Sequence, residues 1–187
     1  TAEIDGKEVD WDIKIGYTRL QIVAGIDTTW SAIGSGLWHF AQHNDEVQRL
    51  VAVPNDDPLW NTANEEVLRY YAPVTMARKV INDVEIAGCP MRAGEQTLVT
   101  FPAANHDPAA FEDAHIFQLD RQDNRHVAFG VGIHRCAGSN LARLEMLVAF
   151  QEWLRAFPNY SLDKSKKTTW ANGQVRGPRE IPVLLNR

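Results

Sequence analysis

The sequence predicts a mainly α-helical fold with small β-sheets, and three observations predict it. A proline-free segment from residue 11 to about residue 43 is apolar on most of its faces. After Cys136, apolar residues recur at helical spacing through Leu141, Leu144, Met146 and Phe150. Between these segments, short strand-like runs alternate with turns rich in Gly and Pro.

Taken in order, residues 1–10 are polar and turn-like. The segment from residue 11 to about 43 carries Ile13, Ile15, Leu20, Ile22, Val23, Ile26, Trp30, Ile33, Leu37, Trp38 and Phe40. A helix apolar all round runs through the middle of a larger protein. About 30 residues at roughly 1.5 Å each make a rod about 45 Å long. The rest of the chain is too small to surround it, so this helix expects neighbours from outside the sequence. A short helix near 45–52 and a Pro/Asn/Asp turn at 54–58 precede a helix at about 59–71, which stops before Pro73. Residues 74–86 and 96–100 have strand character and are joined by a turn region at 88–94, which holds Cys89. Residues 106–125 are polar, broken by Pro108, and read as an irregular meander around a short helix. A helix at 139–156 follows the cysteine, then a strand pair at 160–162 and 181–185. The basic run 164–167 sits on a solvated turn. With no repeat and no low-complexity linker, residues 1–187 read as a single domain.

Composition is that of a globular chain, 44% hydrophobic and 23% charged. The net charge of −5 argues against a general nucleic-acid binder. The longest apolar stretch is interrupted by Asp27 and several glycines, so no membrane span is expected. A disulfide between Cys89 and Cys136 would consume the one thiol whose setting suggests chemistry. Both are therefore expected reduced, in a cytoplasmic protein.

The chemistry centres on Phe129-Gly130-Val131-Gly132-Ile133-His134-Arg135-Cys136-Ala137-Gly138. Its glycines permit conformations that a Cβ resists. Cys136 falls at or just before a helix N-terminus, with Ser139 and Asn140 nearby, where the helix dipole favours a thiolate. A lone cysteine is most often a small buried hydrophobe. Zinc would need further ligands at short spacing, and a phosphate loop would need Gly-Lys-Ser/Thr. Neither pattern occurs. The metal that suits one thiolate without nearby co-ligands brings its own equatorial ligands, as haem does.

The loop resembles the cysteine-ligand signature of the cytochrome P-450 family, F-G-x-G-x-H-x-C-x-G, at Phe129, Gly130, Gly132, His134, Cys136 and Gly138. The resemblance implies the C-terminal part of that fold: long central helix, E-x-x-R helix, cysteine loop, final helix and C-terminal hairpin. It implies haem b bound through the Cys136 thiolate. Ala24-Gly25-Ile26-Asp27-Thr28-Thr29 resembles the family's oxygen-binding stretch. A Thr hydroxyl bonded to the i−4 carbonyl loosens a helix. By the resemblance, that loosened turn admits O2, Thr28 stabilises the reduced oxygen species, and Asp27 relays protons. Glu66-Val67-Leu68-Arg69 resembles the E-x-x-R motif, whose structural role needs a further arginine from the meander. Where many relatives carry that arginine this chain has Ile116, and Arg121 is the nearest substitute. Arg78 and His134 match positions that contact haem propionates; His126 and Arg125 could approach the same side or a partner. Substrate contacts are placed by resemblance at Val23, Ala24, Val74, Thr75, Met76 and Val175, mostly apolar, which implies a small, mostly apolar organic substrate.

The implied function is haem-thiolate monooxygenation, with O2 and with electrons from NAD(P)H delivered by a ferredoxin or flavoprotein reductase. Arg125, Arg135 and Arg143 would suit an acidic redox partner. The alternatives are a peroxide-driven haem-thiolate enzyme, a non-catalytic haem-binding protein and an inactive fragment. The intact Asp27-Thr28 pair favours oxygen activation. Because the resemblance covers only the C-terminal half of the family fold, residues 1–187 are expected to be a partial domain of a longer protein or a truncated gene product.

Overall fold

In the computed structural model, which describes residues 2–186, the proline-free segment forms one helix, α1, Trp11–Phe40. Its two ends differ. Trp11, Ile13, Leu20, Val23, Ile26 and Trp30 are each more than half exposed, whereas Ser31, Ala32, Gly34, Ser35, Gly36, His39 and Phe40 are buried. The buried end is rich in small residues, and these set its packing distance. A Cβ on Gly36 would overlap the Phe150 ring, and one on Gly34 would press on Pro178.

Three more helices close around that end: α2 (Asn44–Val51), α3 (Pro58–Tyr71) and, near the C-terminus, the 18-residue helix Ser139–Ala156. Asp57 caps α3 by accepting the Leu59 N–H at 2.8 Å, and Pro58 fills a first-turn position that needs no donor. Apolar side chains of these helices, among them Phe40, Val47, Leu50, Trp60, Val67, Met146, Phe150 and Leu154, make one buried core.

The β-structure among the described residues is five two-stranded antiparallel sheets. β1 (Glu3–Ile4) pairs with β2 (Lys7–Glu8), so residues expected to be only turn-like form a hairpin. β3 (Thr75–Lys79) pairs with the later strand β6 (Gln96–Thr100), and β4 (Val84–Ile86) with β5 (Cys89–Met91) between them. Cys89 thus lies in a strand and not in the expected turn. Ala87 and Gly88, both at positive φ, make a two-residue reversal tight enough to pair Ile86 with Cys89. α4 (Phe101–Ala104) precedes the meander, and Ser139–Ala156 becomes α5. The short helix expected within 106–125 lies upstream instead, as α4. In the meander itself, carbonyls of Glu112, Asp113, Ala114 and Ile116 accept from arginine side chains, and the backbone turn from the Ile116 N–H to the Asp113 carbonyl does not extend into a helix. The chain closes with β7 (Ser161–Leu162), β8 (Thr169–Ala171), β9 (Gly177–Glu180) and β10 (Val183–Leu184), paired β7 with β10 and β8 with β9. Among the described residues no helix is long and apolar enough to cross a membrane.

Candidate haem-binding site

Beneath the site lies a buried charge cluster. Arg69 and Glu66 are fully buried on α3. Arg69 gives Nε and Nη2 to the two Glu66 oxygens, each at 2.7 Å. Its remaining donors reach the carbonyls of Asn105, Ala114 and Ile116. Glu66 also accepts from the Gln118 N–H at 2.8 Å, from Arg121 Nε at 3.1 and 3.2 Å, and from Asn124 Nδ2 at 3.1 Å. The structure therefore brings Glu66, Arg69 and Arg121 together, with Ile116 contributing only its carbonyl. Every donor of a fully desolvated guanidinium is answered, as burial of a charge requires. Asn105 extends the cluster upward: it donates to the Arg69 carbonyl at 3.1 Å and accepts the Val127 N–H at 2.8 Å, where the cysteine loop begins.

The loop itself is open. Gly130 and Gly132 both sit at φ +68°, a region costly for residues with a Cβ. They let the chain fold back so that the Cys136 N–H reaches the Phe129 carbonyl at 2.9 Å. Residues 132–134 form a single 3₁₀ turn, and Cys136 precedes α5 with Gly138 as its N-cap. Cys136, His134 and Arg135 are exposed, and Ile133 is 96% exposed. Arg78, on β3, is exposed, and among the described residues its guanidinium donates only to the neighbouring Ala77 carbonyl. Both cysteines are free.

On α1, Thr28 Oγ1 donates to the Ala24 carbonyl at 2.7 Å, the back-bond expected to loosen that turn. Asp27 is held by a residue that local sequence patterns did not single out: Arg179 of β9 lies 2.8 Å from Oδ1 and donates from Nη1 to Ser31 Oγ at 3.0 Å. Gly177 makes this approach possible, since a Cβ there would overlap Ser31. Val74 and Val175 form a β-bridge, and the Thr75 N–H donates to the Gln174 carbonyl at 2.9 Å. Gln174 also reaches Met76 Sδ at 3.4 Å. Val74, Thr75, Met76 and Val175 are thus one cluster, while Val23 and Ala24 stand exposed on α1. No hydrogen bond or ion pair among the described residues joins Asp27 or Thr28 to the cysteine loop.

Two partner-facing expectations need correction. Arg143 is occupied by Glu65, through Nε at 2.6 Å and Nη2 at 3.0 Å, so it is not free for a redox protein. His126 turns inward to Glu65 at 3.0 Å, away from any outward anion. Arg125 is 91% exposed and pairs with Asp123.

These residues fit a haem. Among the described residues no three His, Cys, Asp or Glu side chains cluster as metal ligands. A metal held by Cys136 would have to bring its other ligands with it. The thiol lies beside Gly138, where a Cβ would stand 3.9 Å from Sγ, within a loop that exposes Val131 and Ile133. An apolar loop around one exposed sulfur suits a flat apolar ring. Arg78 and His134 are positive or hydrogen-bonding groups of the kind that hold its carboxylates.

Comparison with known proteins gives the same family by independent routes. The protein-family model for cytochrome P-450 matches residues 55–182. The polyketide biosynthesis cytochrome P-450 PksS of Bacillus subtilis (strain 168) is 38% identical over 190 residues, covering 100% of this chain and 46% of PksS. The solved PksS structure superposes with a TM-score of 0.90 at 36% identity, over 100% of this chain and 48% of that one. A steroid C26-monooxygenase of Mycolicibacterium smegmatis is 35% identical, covering 98% of this chain and 46% of the relative. HmtN, a post-tailoring hydroxylase of himastatin biosynthesis, superposes at 0.91 with 31% identity, over 99% of this chain and 50% of that one. The chain spans about half the length of the curated relatives it matches. Signature loop, buried Glu–Arg–Arg cluster, family match and superposition agree: the chain belongs to the cytochrome P-450 family.

Proposed function

We propose that residues 1–187 are the haem-binding, C-terminal part of a monooxygenase domain. Further chain would cover the open end of α1. When bound, haem supplies an iron that activates O2, placing one oxygen atom in an organic substrate while the other leaves as water. The two electrons would come from NAD(P)H through a ferredoxin or flavoprotein reductase.

This chain's residues do the rest. Cys136 would hold the iron through its thiolate, its backbone fixed by the N–H bond to the Phe129 carbonyl and by the two positive-φ glycines. Arg78 and His134 would pair with the haem propionates. The back-bonded Thr28 hydroxyl and the Asp27 carboxylate would hold and pass protons for the reaction, which is general acid–base work by positioned groups. Val74, Thr75, Met76 and Val175, with Val23 and Ala24, shape a mostly apolar substrate site. Relatives named for polyketide biosynthesis and for a steroid support a hydroxylated or epoxidised apolar substrate of that broad kind.

The observation that carries the reading is the exposed Cys136 at the base of α5, inside the glycine-bent loop. It is tested by the ferrous–carbon monoxide spectrum of the full-length protein. A red-shifted, thiolate-type Soret band is expected, and Cys136→Ser should abolish it. A band of the histidine-ligated type in the unaltered protein would refute the assignment.

A further inference from the structure

We propose that Glu65, His126 and Arg143 form a brace that fixes the cysteine loop, acting as positioning residues for the Cys136 thiolate. The proposal rests on the haem–thiolate reading above.

Glu65 stands beside Glu66 on α3, but it serves a different set of partners. Its carboxylate receives Nε and Nη2 of Arg143, a fork on both oxygens, and Nε2 of His126 at 3.0 Å. His126 has one orientation that satisfies both neighbours. Its Nδ1 accepts the Ala128 N–H at 3.2 Å, so the ring proton sits on Nε2 and points to Glu65. Burial alone would raise the Glu65 carboxyl. The hydrogen bonds from His126 and Arg143, with the arginine charge, outweigh it and hold the group at about 2. The Glu65 carboxylate is thus ionised at neutral pH.

Two arms run from Glu65 into the loop. Through His126 it grips the backbone at Ala128. Through Arg143 it reaches Phe129, because the guanidinium lies over that ring at 4.6 Å from the centroid. The Phe129 carbonyl is the acceptor for the Cys136 N–H, so the ring's position passes directly to the cysteine backbone. Asn64 adds a tie between the same helices, donating to the Arg143 carbonyl at 3.0 Å. Unlike the Glu66 cluster, which holds the meander, this one joins α3 and α5 to the loop. Groups that orient a metal's ligands typically alter affinity or activity by about 10–100-fold.

The test uses the full-length haem-loaded protein, reduced and under carbon monoxide. Glu65→Gln keeps the shape but loses the charge. Arg143→Lys keeps the charge but loses the fork and the flat face, and it guards against a Gln variant that does not fold. Both should bind haem, yet convert from the thiolate-type to the non-thiolate-type band about ten-fold faster, with unchanged helical circular dichroism. Asp163→Asn, which weakens a turn held by Asp163, Ser165 and Lys166 far from the loop, should behave as the unaltered protein. Equal conversion rates in all the proteins, or conversion only in step with loss of helix, would overturn the brace. If the unaltered protein shows no thiolate-type band, the haem–thiolate reading itself fails and takes the brace with it. The two failures therefore look different.

Discussion

The two ends of α1 share one helix and treat polar residues in opposite ways. In the buried end, Ser35 bonds the Ser31 carbonyl, and His39 is held between Tyr71 and Glu46 at 2.8 Å on each side. In the open end, Asp27 and Thr28 lie among exposed Val23, Ile26 and Trp30, and among the described residues the only group outside the helix that bonds to them is Arg179. The same contrast separates the Glu66–Arg69–Arg121 cluster, where every charge is answered, from the cysteine loop, whose polar groups face outward. Charges enclosed and fully paired hold the fold. Charges left half open beside bent backbone are available to a ligand.

The largest effect follows from breaking the closed side. Glu66→Ala leaves two buried guanidiniums without their anion and should cost about 3–5 kcal/mol in denaturant unfolding. Arg78→Ala, on the open side, should change stability by no more than about 0.5 kcal/mol. Similar losses for the two variants would erase the distinction.

Acid sharpens it. Glu65 falls from the ordinary 4.5 to about 2 in the folded state, so the unfolded chain binds the proton first. Its contribution is complete above pH 4.5 and is lost as pH falls toward 2. It amounts to at most about 3 kcal/mol, less what solvent screening removes from a partly exposed pair. His39 acts higher up the scale. Burial lowers it below 6.5 against the pull of Glu46, so its contribution is present above pH 6.5 and declines as pH falls through that value. Unfolding free energies of the unaltered protein and Glu65→Gln between pH 7 and 3 should converge at the acid end.

Glycines give a third contrast within one helix. Gly36→Ala drives a methyl into Phe150 and should cost about 1–3 kcal/mol. Gly25→Ala meets nothing within 4 Å and should gain up to about 1 kcal/mol from helix propensity. Thermal unfolding of the two variants in opposite directions would place the boundary between the ends of α1.

Much of this was legible locally. Helix periodicity placed α1, α3 and α5 nearly to their ends, because each carries a continuous apolar pattern, and α3 and α5 run into Pro73 and Pro158. The cysteine loop was legible because its glycine spacing is a local constraint. The third partner of Glu66 could be guessed from Arg121, since the meander brings a nearby arginine whatever its register. What stayed hidden depends on distant chain. Nothing around Glu65 marks it apart from Glu66, and only the packing of α3 against α5 turns it to Arg143. Nor does the sequence near Asp27 announce Arg179, which arrives on a hairpin at the far end of the chain.

That hairpin contact yields a small stability effect and the finest test. The Asp27–Arg179 pair is 43% and 30% exposed at its side chains, so Arg179→Gln should cost less than about 1 kcal/mol. Its effect should appear in proton handling. Arg179 holds the carboxylate and also donates to Ser31, which fixes where Asp27 points. Under the proposed proton-relay role, Asp27→Asn should slow substrate oxidation by the full-length protein on the order of 100-fold, the lower range for a lost general acid–base group. Arg179→Gln leaves the acid in place but unheld and should cost a smaller factor, about ten-fold, with a larger solvent deuterium isotope effect. Arg179→Lys should restore most of both. An Arg179→Gln variant that matches the unaltered protein in rate and isotope effect would show that Asp27 needs no such support, and the open end of α1 would then rely on Thr28 and its back-bonded turn alone.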